Sequence, residues 1–261
     1  MSTEALEQKI AAKDQRAPQM ARQLGPAAEP VIERAFANPD WEVRDVAVDC
    51  AHAIGGPNRN PLFIRALHDA DINVRYTACR HLEETADVEV LPQLLDEVKT
   101  NDDEKVRGQV ALIIGRLDDE SAVPPLQERL KPEPEPEPDD EVRDNIVLAL
   151  ARLGDEDARA QIRADLQSGE VQTRLETIRK YEYINDPDAL ADLHPLVNDH
   201  ANAVNIHPSN APPGFLRICD IVVQVTTTTG KPKLSFDGTE QRRFLPEERN
   251  EVAKWLAARR K

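Results

Sequence analysis

The sequence predicts an all-α fold, an α-solenoid (superhelix) of stacked helical hairpins closed by a C-terminal capping helix. The main observation is the dipeptide Val-Arg, which recurs at intervals of 31, 32 and 36 residues, beginning at Val43, Val74, Val106 and Val142. Periods of about 30 to 45 residues are typical of repeat arrays rather than of single-core globules. Each dipeptide is followed by an apolar stripe of helical spacing. Only 4% of the residues are aromatic, which suits thin helix-on-helix layers.

The clearest repeat shows why each unit is predicted to contain two helices. Asp40 follows Asn38-Pro39, and its short carboxylate can cap the free amides of a helix that begins there. Apolar or small residues then fall at offsets 0, 3, 4, 7 and 11 from Val43, which is one face of an α-helix. Gly55-Gly56-Pro57 ends this first helix, and a second helix is predicted over residues 61–69.

The same alternation of helices is expected in the other units. Second helices are predicted over residues 90–99, 123–130 and 156–167, each after a Val-Arg helix. A fifth, degenerate unit has Thr173-Arg174 in the Val-Arg position, and an earlier partial unit covers residues 15–36.

Two insertions divide the chain. Residues 131–140 alternate Pro and Glu, which predicts a stiff polyproline-II spacer inside the repeat array of residues 1–197. Residues 198–214 are rich in Asn, Pro and His and are expected to form a surface loop. Residues 215–261 then form the predicted C-terminal helical capping region.

The capping region is expected to consist of helices. Residues 215–229 contain a β-branched run that by itself favours a strand. A helix from Phe215 is nevertheless predicted, because Leu216-Arg217 again occupies the entry position of a unit. A final helix is predicted from Pro246, with two glutamates in its first turn and one apolar face. Such a helix suits a cap that covers the last open layer.

The net charge of the chain indicates which classes of partner it can bind. The chain has 48 acidic and 33 basic residues, for a formal net charge of −15. Such a field repels phosphates and anionic membrane surfaces, so we expect neither nucleic acid nor membrane as a partner. A protein or peptide of basic or mixed charge fits instead. With three scattered cysteines, no signal-type segment and no apolar stretch of about 18 residues, we expect a cytoplasmic chain that is a monomer on its own.

The repeat units resemble a known family. The segments DWEVRDVA, DINVRYTA, DEKVRGQVALIIGRLDD and DDEVRDNIVLALARLGD resemble HEAT repeats, and more closely the short HEAT-like class first named for phycobilisome lyases. The resemblance covers residues 38–190, and more weakly residues 10–37. It implies the fold predicted above. Because the class includes chromophore lyases, adaptors and regulatory subunits, it implies no single function.

The recurrent arginines are interpreted as a structural ladder. Each arginine can bind the acidic turn of the neighbouring unit and so fix the stacking register. The ladder residues are Arg44, Arg75, Arg107 and Arg143.

Cysteine and histidine pairs were considered as a zinc site and set aside. The pairs are Cys50 with His52 and Cys79 with His81. Positions i and i+2 of a helix point to different faces, so four ligands would not converge from these helices. Core cysteines and partly exposed histidines are expected, with no metal site and no cofactor.

The C-terminal third holds two further candidates for chemistry. His194, His200 and His207 lack the spacing of a known metal motif and are expected to be loop histidines. Cys219 has no evident activating base, and Asp220 is interpreted as a structural carboxylate that pairs with the cap. The sequence contains no recognised catalytic motif, so we expect a chain that is not an enzyme.

Binding is expected on the concave face, which the second helices line in such arrays. The candidate residues are Arg34, Arg65, His68, Gln93, Asp96, Glu97, Glu128, Arg163 and Asp192. The predicted function is a non-catalytic scaffold or adaptor for a protein or peptide partner. The alternative, which rests on the resemblance, is a bilin lyase-like subunit that binds a tetrapyrrole.

Overall fold

The computed structural model describes residues 2–56, 59–131, 140–206 and 214–260. In these ranges the chain forms fourteen α-helices and two short strands, so the all-α prediction is confirmed. The helices stack as pairs, which is the arrangement of a helical solenoid. The chain divides into two compact units, Met1–Ala149 and Leu150–Lys261. The Pro-Glu spacer lies almost wholly outside the described residues.

The first unit contains nine complete helices and most of a tenth. They are α1 (Thr3–Ala11), α2 (Ala17–Leu24), α3 (Glu29–Ala35), α4 (Trp41–Ile54), α5 (Arg59–Ala66), α6 (Ile72–Thr85), α7 (Leu91–Thr100), α8 (Glu104–Arg116), α9 (Val123–Leu130) and α10 (Asp140–Arg152). We call α4, α6, α8 and α10, which carry the Val-Arg dipeptides, the first helices. The second helices are α3, α5, α7 and α9. Helices α5 and α7 lie within a few residues of their predicted bounds, and α9 coincides with its predicted bounds.

Aspartates determine where the first helices begin. The capping residues are Asp40, Asp71 and Asp103. Each carboxylate accepts a hydrogen bond from the backbone amide two residues later, at 3.0, 2.9 and 3.0 Å. This bond satisfies one of the amides that a helix start leaves free. The valines of the Val-Arg dipeptides are buried behind these caps, where α4 packs on α6 and α6 packs on α8.

The second unit is also helical. Its helices after α10 are α11 (Glu156–Asp165), α12 (Val171–Ile184), α13 (Ile218–Gly230) and α14 (Pro246–Ala257). The degenerate fifth unit has α12 as its first helix, but its second element is a 3-10 helix, Ala189–Leu196, with Pro195 inside it. No helix in the described ranges is both long and apolar enough to cross a membrane.

Two predictions around residue 210 are wrong. The predicted loop of residues 198–214 contains strand β1 (Asn202–Ile206), which pairs antiparallel with strand β2 (Gly214–Arg217). The helix predicted from Phe215 therefore begins only at Ile218. The physical reason is the β preference of the local residues, since Phe215 stands opposite Asn205 in the ladder. Residues 207–213 lie outside the description.

The remainder of the predicted segment is helical in spite of its β-branched run. Most of the aliphatic side chains of α13 are buried, and this burial outweighs local propensity. The hydroxyls of Thr227 and Thr228 donate to the carbonyls of Val223 and Gln224, at 2.8 and 3.0 Å. These bonds satisfy the threonine side chains within the helix. Helix α14 begins at Pro246, as predicted, and packs against α13.

Candidate functional site

The arginine ladder joins successive turns. Arg44 makes a bidentate ion pair with Asp69, in which Nε and Nη2 each lie 2.7 Å from a carboxylate oxygen. Its Nη1 donates to the carbonyl of Asn38 at 2.8 Å. Arg75 makes the matching contacts one unit later, to Asp103 at 2.8 Å and to the carbonyl of Asp69 at 2.8 Å. Each arginine therefore ties the turn before its own helix to the turn before the next first helix.

The same construction recurs in the second unit. Arg174 donates to Asp199 at 2.9 Å and to the carbonyl of Ser168 at 2.6 Å. The other two ladder residues contact the preceding turn: Arg107 donates to the carbonyl of Asn101 at 2.7 Å, and Arg143 to that of Leu130 at 3.3 Å. The carboxylate partners of these arginines were not predicted from the sequence. Their signal was an Asp 25 to 28 residues after each arginine.

Several second-helix candidates are engaged in ion pairs with their neighbours. Arg34 lies 3.2 Å from Glu7, Arg65 lies 2.8 Å from Glu33, and Arg163 lies 2.8 Å from Asp192. Asp192 also accepts from the hydroxyl of buried Tyr181, at 3.1 Å. The exposed candidates Gln93, Asp96 and Glu128 lie on α7 and α9.

Glu97 differs from the other second-helix candidates because it is only 6% exposed. Its carboxylate lies 2.8 Å from His68 Nε2 and accepts from the amide of Asn101 at 2.7 Å. Asn101 also donates to the carbonyl of Leu67 at 3.3 Å. Glu97 is therefore part of the packing between units, and its oxygens are engaged within the chain.

A groove runs along the first helices. One depression of about 390 Å³ adjoins another of about 330 Å³, and Tyr76 and Arg80 line both. We call the two together the first-helix groove. Its other lining residues are Trp41, Asp45, Asn73, Thr77, Cys79, Glu83, Lys105, Gln109 and Glu141. Trp41 is one of the few large apolar side chains left exposed, at 36%.

The groove also holds an acceptor without a partner. The Oδ1 atom of Asp45 is buried and has no hydrogen-bond partner. Burial raises the pKa of this carboxyl group, and the nearby charge of Asp49 acts in the same direction. A donor supplied by a bound molecule would therefore stabilise the ionised form of Asp45.

A larger depression of about 670 Å³ lies over the turns before α6 and α8. Its walls include Arg75 and Asp103, whose charges are paired with each other in the ladder. Its other polar lining residues include His68, Asp102, Glu104 and Lys105.

The structure brings together two histidines that the sequence analysis had set aside. The rings of His52 and His81 stack with centroids 4.1 Å apart. His81 is buried, so the expectation of a partly exposed histidine is wrong at this position. Burial lowers the pKa of His52, and the neighbouring His81 lowers it further. Cys50 and Cys79 are core residues, as expected, and burial raises the pKa of each thiol to about 12.

A buried carboxylate connects the C-terminal elements. Asp220 is 0% exposed and accepts from the guanidinium of Arg217 at 2.8 Å and from the amide of Phe244 at 2.9 Å. Burial opposes its ionisation, but these bonds hold the pKa of Asp220 below its usual value. The expected structural role of Asp220 agrees with this geometry.

The expected loop histidines have different surroundings. His200 Nδ1 lies 3.3 Å from Arg217, 3.2 Å from Arg249 and 3.7 Å from the sulfur of Cys219. Since both guanidinium groups can only donate, Nδ1 of His200 is the acceptor in these two contacts. His194 lies in the 3-10 helix of the fifth unit, and His207 lies outside the described residues.

Part of the repeat array matches a known family. The family model for HEAT repeats matches residues 59–137 and 92–173. A solved structure, human deoxyhypusine hydroxylase in complex with glycerol, is similar over 98% of this chain and 96% of its own, with 18% identity and a TM-score of 0.37. No curated protein gives a significant match.

One functional expectation requires correction. The prediction that the chain is not an enzyme is contradicted, because the matched solved structure is that of a hydroxylase. A match at this TM-score assigns no activity to the present chain.

Proposed function

We propose, from the premise that this chain is a HEAT-like repeat protein, that it binds a protein or peptide partner in the first-helix groove. One observation carries the proposal: two adjoining depressions share Tyr76 and Arg80 and are bordered by exposed Trp41. Repeat arrays of this kind present extended surfaces to their partners, because each unit adds a similar helix beside the last.

The residue types of the groove support binding to a protein. Trp, Tyr and Arg are the side chains most enriched among those that dominate binding energy at protein interfaces. Trp41, Tyr76 and Arg80 line one depression, so a partner could anchor an apolar side chain between them. Asp45 beside them would accept a hydrogen bond from the same partner.

The charges of the chain support a partner of basic or mixed charge. The groove contains Asp45, Glu83 and Glu141 against Arg80 and Lys105, within a chain of net charge −15. Electrostatic attraction would then speed association at low salt and weaken as salt is added. The three free cysteines support a reducing compartment, and we propose the cytoplasm.

The test measures how tightly variants on the two helix faces of this chain bind a partner that is captured from the native cells and then purified. We expect Trp41→Ala to weaken binding by about 2 kcal/mol or more, as for a central anchor. Gln109→Ala should weaken it less. The matched controls are Val88→Ala, an exposed apolar side chain outside the groove, and Gln93→Ala, on second helix α7. Loss of affinity in the controls alone would reject the first-helix groove.

The second-helix residues remain a separate proposal for the binding face. Weaker binding by Gln93→Ala, with unchanged binding by Gln109→Ala, would support it. The tetrapyrrole alternative depends on the family resemblance, and visible absorbance of the chain after co-expression with bilin would support it.

A further inference from the structure

Two buried imidazole nitrogens without hydrogen-bond partners occur on neighbouring first helices. They are the Nδ1 atoms of His52, near the C-terminal end of α4, and of His81 on α6. His81 is only 2% exposed. Buried polar side-chain atoms almost always have a partner in a folded protein, so two such nitrogens on stacked rings mark a place where a ligand could bind.

Asp49 determines which nitrogen of His81 is available. Its Oδ1 lies 2.7 Å from His81 Nε2, and a carboxylate can only accept. Nε2, which also lies 3.4 Å from Nη2 of Arg80, is therefore engaged within the chain, and Nδ1 is the nitrogen that has no partner. A carboxylate behind a histidine is the arrangement that orients imidazole ligands in metal sites and makes them more basic.

Glu84 completes a set of three potential ligands. It lies one turn after His81 on α6, and its carboxylate oxygen is 3.6 Å from His52 Nε2. One ligand atom from each of the three side chains lies within 4.8 Å of the other two.

We propose that His52, His81 and Glu84 bind a divalent transition-metal ion, with zinc as the representative. Two imidazoles and one carboxylate form a ligand set that such ions accept, and three protein ligands leave a fourth position for water or for a group of a bound partner. The three ligands are not lining residues of the proposed groove, but the two sites are neighbours, because Arg80 lines the groove and lies 3.1 Å from Asp49.

Binding requires small movements of two side chains. The two rings are within 13° of parallel, so their lone pairs cannot both point at one ion as they stand. His81 is fixed by Asp49 and by burial, whereas the His52 side chain is 30% exposed and the Glu84 side chain 53%. The ion would therefore bind at His81, and His52 and Glu84 would turn onto it.

Nearby cations have partners that limit their repulsion of the ion. Arg80 lies 3.1 Å from Asp49, and Arg59 donates to the carbonyl of Thr85 at 3.1 Å. Cys50 and Cys79 on the same helices are buried in the core and are not part of the ligand set.

Titration of the tag-free full chain with zinc, monitored by calorimetry, tests the site. We expect one equivalent to bind and the melting temperature to rise. His52→Ala and Glu84→Gln should abolish that binding step while the metal-free variants unfold as the wild type does. Asp49→Asn, which alters a positioning residue, should weaken binding about 10- to 100-fold. Cobalt should give visible d–d bands without a thiolate charge-transfer band.

The control variant is His68→Ala, which removes an exposed histidine outside the cluster. It should bind zinc as the wild type does. The proposal is overturned if the wild type takes up no stoichiometric zinc, since the two rings are then only a structural stack. It is equally overturned if Glu84→Gln and His52→Ala bind as tightly as His68→Ala, or if cobalt shows thiolate ligation.

Discussion

Replacing Arg75 with alanine should destabilise the chain more than replacing any single exposed arginine. Nε and Nη2 of Arg75 lie 2.8 and 2.7 Å from Asp103, and Nη1 donates to the carbonyls of Asp69 and Ala70 at 2.8 and 3.2 Å. The change therefore removes a charged contact between turns and leaves a carboxylate without its main partner.

The expected loss of stability follows from the burial of the Arg75 and Asp103 side chains. The two side chains are 18% and 17% exposed, so water can replace only part of the lost interaction. Hydrogen bonds to charged groups contribute about 1.5–3 kcal/mol, and breaking a fully buried pair costs about 3–5 kcal/mol. We expect Arg75→Ala to lower the free energy of unfolding by about 2–3 kcal/mol. Arg75→Lys should recover only part of it, because an ammonium cannot bridge both turns.

Urea unfolding followed by far-ultraviolet circular dichroism is the assay. The matched control is Arg34→Ala, because the pair of Arg34 with Glu7 has both side chains more than half exposed. Exposed pairs contribute about 0–1 kcal/mol. Hydrogen exchange at the start of α8 should also become faster in Arg75→Ala, where Asp103 caps the helix. Equal losses in Arg75→Ala and Arg34→Ala would refute the ladder as a stabilising feature.

Three further predictions concern stability. Asp220→Asn should cost about 3 kcal/mol or more by urea unfolding, because it leaves Arg217 partly buried without its carboxylate; an unchanged midpoint would contradict this. Gly230→Ala should lower the melting temperature, because the added Cβ would clash with the ring of Trp255. Gly169→Ala, whose Cβ would meet open space, should leave it unchanged, and equal melting temperatures of the two variants would contradict the packing. Burial opposes ionisation of Asp69, but the hydrogen bond from Arg44 holds the pKa of Asp69 below its usual value. The stabilisation by the ionised carboxylate is therefore present above about pH 4 and is lost as the pH falls through the lower pKa of the folded state. The difference in unfolding free energy between the wild type and Asp69→Asn should narrow in acid, and a difference that stays constant with pH would contradict this.

The helices of the array were predictable because each unit repeats the same physical signals. A capping aspartate such as Asp40, an apolar stripe of period 3.6 and a terminating glycine such as Gly55 all agree within one unit. The strand pair was missed because Phe215 and Leu216 were assigned by their position in the repeat rather than by local propensity. Their pairing with β1 depends on residues across an insertion, which periodicity does not report.

The candidate sites were less accessible to sequence reasoning, because they depend on contacts between units. His52 and His81 are 29 residues apart, close to the period of 31, and so meet across adjacent first helices rather than within one helix. The i and i+2 spacing within a single helix does not report this contact between two helices. Tyr76 and Arg80 likewise define a groove only once α4, α6 and α8 lie side by side.

Site-specific photo-crosslinking tests the proposed binding face most directly. A photoreactive amino acid would replace either Gln109, in the first-helix groove, or Gln93, on second helix α7. Both positions are exposed glutamines, so the two variants differ mainly in the face that they report. We expect a crosslinked partner from position 109 and none from position 93. Crosslinking from position 93 alone would contradict the proposal that the first helices bind the partner.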